Sequence, residues 1–68
     1  MDNWILEGQR VRAEYHGMFP VEGTVVESRV TYGGAVKHTV VLPEPVMIYG
    51  ALRDTLLFYH EDVEVLNG

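Results

Sequence analysis

Apolar and polar residues alternate with a period of two along most of the chain, and the three-and-four spacing of a helix is nearly absent. From Gln9 to Tyr15, Val11, Ala13 and Tyr15 alternate with Arg10, Arg12 and Glu14, the pattern of a strand with one buried face. His16-Gly17-Met18-Phe19-Pro20 interrupts that alternation and reads as a loop. Further strands are predicted over Val21–Thr31, Ala35–Leu42, Thr55–Tyr59 and Glu64–Leu66, with His60-Glu61-Asp62 suited to a single 3₁₀ turn before the last. Proline donates nothing to a ladder. Pro43-Glu44-Pro45 is therefore expected to halt the third strand and leave Pro43–Asp54 as a long connection.

Two registers compete for the hairpin around Tyr32-Gly33-Gly34. A two-residue Gly33-Gly34 turn would set Val30 opposite Lys37 and mix apolar with polar residues on both faces. A three-residue loop with Gly34 left-handed pairs Val30 with Val36, Ser28 with His38, Val26 with Val40 and Thr24 with Leu42. That register gathers Val26, Val30, Val36, Val40 and Leu42 on one face and Glu27, Arg29, Lys37 and Thr39 on the other. Pairing follows such segregation, so the three-residue loop is expected. It also places Ser28 and His38 together on the apolar face, where a buried pair must share a hydrogen bond.

The strings Gly8-Gln9-Arg10-Val11-Arg12-Ala13, Gly23-Thr24-Val25-Val26 and Leu57-Phe58-Tyr59-His60-Glu61-Asp62-Val63-Glu64-Val65-Leu66 carry a family likeness. From Gly8 to Leu66 the chain resembles the SH3-like barrels: Tudor, KOW and SH3 domains and, at a distance, the plasmid-borne type II dihydrofolate reductases. The resemblance implies an all-β fold, one five-stranded SH3-like barrel across residues 1–68 with a 3₁₀ turn before the last strand. Its motifs describe turns and a core and carry no chemistry of their own. In the reductases a Val-Gln-Ile-Tyr strand orients the ligands. Leu57-Phe58-Tyr59 stands in its place without the glutamine, so reductase activity is the least favoured of the functions the likeness implies.

Composition narrows the rest. Without cysteine, disulfides, thiolate metal sites and cysteine nucleophiles are excluded. His16, His38 and His60 lack the short spacing of a metal site, and no catalytic residue, metal or cofactor is assigned. Ten acidic residues against five basic give a net charge of −5, the wrong sign for a nucleic-acid footprint. A KOW-like contact through Arg10, Arg12, Arg29 and Lys37 stays as a secondary reading. A Tudor-like cage drawn from Tyr15, Phe19, Tyr32, Phe58 or Tyr59 is the aromatic alternative, against the plainer reading of Tyr15 and Phe58 as core.

The apolar quartet Val46-Met47-Ile48-Tyr49 falls where a polar connection is expected; it is either an interface or a lid on the core. The apolar Trp4-Ile5-Leu6 poses the same question. The expected function is a non-catalytic protein-binding or adaptor module, in the style of small phage- or plasmid-encoded accessory proteins. Its surface is drawn from Tyr15, Phe19, Val46, Met47, Ile48, Tyr49 and Tyr59, and its partner is a basic protein or, by self-association, a second copy. No signal or bilayer-length segment is seen, so no membrane partner and a cytoplasmic location are expected.

Overall fold

The computed structural model describes residues 4–66. Five strands form one antiparallel sheet: β1 (Arg10–Tyr15), β2 (Phe19–Val30), β3 (Val36–Ile48), β4 (Ala51–Tyr59) and β5 (Val63–Val65). Their spatial order is β4-β3-β2-β1-β5. The 3₁₀ turn His60–Asp62 joins β4 to β5, as the sequence predicts. Strand β2 is shared: Phe19 to Thr24 pair with β1, and Thr24 to Val30 pair with β3. The sheet curls about one core of Leu6, Val11, Ala13, Val21, Val25, Val40, Leu42, Ile48, Leu56 and Phe58. Tyr15 of β1 meets Phe58 of β4 edge-on, ring centroids 5.9 Å apart, although these strands are not neighbours in the sheet. No ladder joins the two outer strands, so the sheet is not closed.

The β2–β3 hairpin turns through three residues with Gly34 at φ +88°, as expected, and Val30↔Val36 and Ser28↔His38 are opposed. Farther from the turn the expected register fails. Val25, not Val26, faces Val40, and Thr24 faces Val41 instead of Leu42. Val26 is an unpaired bulge residue, 53% exposed, while Val25 is fully buried. The cause lies in the amino-terminal strap. Gly8 N–H donates to Val25 O (2.8 Å) and Val25 N–H donates to Gln9 O (2.9 Å), so the Val25 backbone is held from the β1 side. One extra residue lets β2 bend and take up β3. Val30 is also exposed, because the hairpin end overhangs the core.

The long connection is in fact a second hairpin. Strand β3 continues through Pro43 and Pro45 to Ile48, and β4 starts at Ala51, not Thr55. Between Val41↔Thr55 and Val46↔Arg53 the ladder is interrupted, so both prolines sit where no partner needs their missing donor. Val46↔Arg53, Met47↔Leu52 and Ile48↔Ala51 then pair. Tyr49 (φ +51°) and Gly50 (φ +78°) make the turn, the two left-handed residues of a primed hairpin turn. Leu6 is buried, so the strap closes on the core, while Ile5 is exposed. Among the described residues no helix is long and apolar enough to cross a membrane.

Candidate functional site

The β1–β2 hairpin turns at His16-Gly17-Met18, with His16 (φ +54°) and Gly17 (φ +68°) both left-handed. Its tip packs against the Tyr49 turn: Tyr49 lies 5.5 Å from the Phe19 ring and 5.9 Å from that of His16. His16 in turn sits 4.2 Å from Tyr15. Strain at Tyr49 is thus offset by edge-on aromatic packing.

Beside this cluster opens a groove of about 910 Å³. Its walls are β1 from Arg12 to Tyr15, the end of β4 from Leu57 to Tyr59, the 3₁₀ turn and the start of β5. Tyr15 and Tyr59 supply aromatic surface. Glu14, Glu61, Asp62 and Glu64 line the same space against one guanidinium, Arg12, which is bonded to Glu64 at 2.9 Å. The hydrogen bond to Glu64 first, then that group's charge, raises the Arg12 pKa further above its ordinary value. Arg12 stays charged, and three carboxylates remain unmatched by any cation of the groove. The arrangement holds aromatic faces and negative charge together, which attracts cations and repels phosphates.

The seven residues assigned to protein binding separate. Tyr15 and Tyr59 line the groove, and Phe19 and Tyr49 form the adjoining aromatic tip. Val46 borders a second hollow of about 320 Å³ with Leu42, Pro43 and Glu44. Met47 is exposed opposite Leu52. Ile48 is 1% exposed and belongs to the core, so it offers no contact surface. The quartet is not a free connection: strand alternation turns Ile48 into the core, with Val46 packed against it, and leaves Met47 and Tyr49 exposed. Among the described residues the five cage candidates do not converge, since Phe58 is buried and Tyr32 stands fully exposed on the far hairpin.

The four basic residues do lie outward on adjacent strands, with Arg29 opposite Lys37. Each has a partner. Arg10 pairs with Glu22 (3.4 Å), Arg12 with Glu64 (2.9 Å) and Arg29 with Glu27 (3.3 Å). The Lys37 ammonium lies 4.9 Å from the centroid of the Tyr59 ring. These pairs are exposed and individually weak, but they interleave carboxylates through the stripe.

Sequence reasoning overlooked Glu14, Glu61, Asp62 and Glu64, whose convergence is visible only once β4 and β5 flank β1. It also left His60 apart from His38, although His60 Nδ1 lies 2.8 Å from Nε2 of His38. Among the described residues no group of three or more His, Asp or Glu is arranged to hold a metal ion. No family model, no curated protein and no solved structure matches the chain.

Proposed function

We propose that the protein is a small non-catalytic binding module, an SH3-like barrel left open between its outer strands, that receives a cationic segment of a protein partner in the groove between β1 and the 3₁₀ turn. One observation carries this reading: Tyr15 and Tyr59 share one open groove with Glu14, Glu61 and Asp62. The strand order and the 3₁₀ turn before β5 support the barrel assignment. Lysine or arginine side chains would lie on the two tyrosine faces with the carboxylates around them. Each such contact contributes about 0.5–1 kcal/mol at an exposed site. A few together, about 2–4 kcal/mol, correspond to weak binding, with Kd on the order of 1 mM or above.

Titration of the labelled protein with a lysine- and arginine-rich peptide tests this. Amide shifts are expected at Tyr15, Tyr59, Glu61 and Asp62, and the double change Glu61→Lys, Asp62→Lys weakens binding by roughly tenfold or more. Shifts confined to Arg10, Arg29 and Lys37, obtained with single-stranded nucleic acid and steeply salt-dependent, would favour the nucleic-acid reading instead. Self-association has its candidate surface on the free edge of β4, where Leu52 and Leu57 are exposed, and a molar mass above one chain would reveal it.

A further inference from the structure

A line of three hydrogen-bonded side chains crosses the interior. Ser28 of β2 and His38 of β3 are opposed, with Oγ and Nδ1 2.8 Å apart. Beyond the same ring, Nε2 of His38 lies 2.8 Å from Nδ1 of His60 in the 3₁₀ turn. His38 is fully buried and His60 half-buried, so the line runs from the core to the surface. Its other end is the strap. Leu6 N–H donates to Ser28 Oγ (3.0 Å), and Ser28 N–H donates to Glu7 Oε2 (3.0 Å).

Donor counting gives each bond a direction. Oγ already accepts from Leu6, and among the described residues its own proton has Nδ1 of His38 as acceptor. His38 therefore carries its proton on Nε2 and donates to His60 Nδ1. The Ser28 hydroxyl and the His38 N–H both have acceptors only while both rings are neutral. A proton added at Nδ1 of His60 reverses two links: His60 donates to Nε2 of His38, and Nδ1 of His38 donates to Oγ. The Ser28 hydroxyl proton then has no acceptor, a costly state for a part-buried group. A second proton sets two N–H groups face to face.

The surrounding charges do not prevent this. Glu7 is engaged by Ser28 N–H, and Arg29 and Lys37 flank Ser28 and His38 but alternate onto the other face. On β4 the residue opposite His38 is Phe58. Glu61 and Asp62 follow His60 in the same turn. Burial first, and then the charge of His60, lowers the pKa of His38.

We propose that Ser28, His38 and His60 form an acid-released latch that holds the amino-terminal strap to the sheet and to the 3₁₀ turn. Neutral, it is closed; on proton uptake by the imidazole pair the Ser28 hydroxyl loses its acceptor, the side chain turns to find another, and the Leu6 N–H bond that Oγ accepts is given up, which loosens the strap ahead of Gly8. The latch stands whether or not the groove binds a cationic peptide.

Trp4, the single tryptophan, sits half-buried on this strap and reports its release. Between about pH 7.5 and about pH 5, across the imidazole range, its emission is expected to shift to longer wavelength while the far-ultraviolet sheet signal persists. His60→Gln keeps an acceptor for Nε2 of His38 but binds no proton, and it moves the midpoint to lower pH. Ser28→Ala, which removes the strap's anchor, leaves Trp4 red-shifted at neutral pH. The latch is refuted by no transition in that range, by a Trp4 shift that tracks loss of the sheet signal, or by an unchanged midpoint in His60→Gln.

Discussion

At Gly23 a Cβ atom would lie 2.4 Å from the carbonyl oxygen of Val41 and 2.7 Å from Cγ1 of Val40. This is where β2 leaves β1 and takes up β3, and the backbones approach too closely for any side chain. The nearer atom is main chain, which cannot swing aside. Gly23→Ala should therefore lower unfolding stability by about 1–3 kcal/mol, measured as a reduced urea midpoint with an unchanged slope. Gly34 and Gly50 are needed for a different reason, their left-handed backbone at φ +88° and +78°, with open space around a Cβ at both. Substitution there strains the turn without crowding the core.

Among the elements, β2 illustrates how one residue redirects a strand. Its bulge places Val25 in the core and Val26 in solvent, though both are valines in an unbroken apolar pair. Val25→Asp buries an unpaired carboxylate and is expected to prevent folding. Val26→Asp should change stability by less than about 0.5–1 kcal/mol. Thermal melts of the two variants, read side by side, check the assignment. A register without the bulge predicts the opposite ranking.

The same comparison shows what was legible in the chain. β1, the Gly34 loop, the Ser28–His38 contact and the 3₁₀ turn each depend on residues within a few positions of one another, or on one glycine conformation. The bulge does not, because it is imposed by backbone bonds from Gly8 and Gln9, more than a dozen residues earlier. Nor does the β3–β4 hairpin. Its prolines signal a break, yet they lie in a stretch of β3 that bulges away from the ladder. Its turn uses Tyr49 in place of the asparagine or aspartate that usually marks a primed turn, and the aromatic contacts that stabilise it come from another hairpin. The groove was legible in part: Tyr15 and Tyr59 are recognisable as candidates, whereas the carboxylates beside them come together only through β1–β5 pairing and the 3₁₀ turn.

At the scale of the whole molecule, proton linkage joins the core to the surface. A histidine whose pKa is lowered on folding binds fewer protons in the native state than in the unfolded one. Its stabilising contribution is therefore present in full above the unfolded value of roughly 6.5 and is eroded as pH falls through that value towards the lowered native one. The direction at His38 is downward. Acidification from neutrality should thus lower unfolding stability, by at most about 1.4 kcal/mol per pH unit for one proton. Urea unfolding at a series of pH values measures this slope, and His38→Gln, which keeps a polar side chain but cannot titrate, should flatten it. A wild-type slope that His38→Gln leaves unchanged would place the linked proton elsewhere. Because His60 opens the same turn that presents Glu61 and Asp62 to the groove, a ligand held by those carboxylates and a proton taken up by the imidazoles act on one short element. Cationic ligand that binds the closed form more tightly must, by reciprocity, make proton uptake harder. Bound peptide is accordingly expected to shift the Trp4 transition to lower pH.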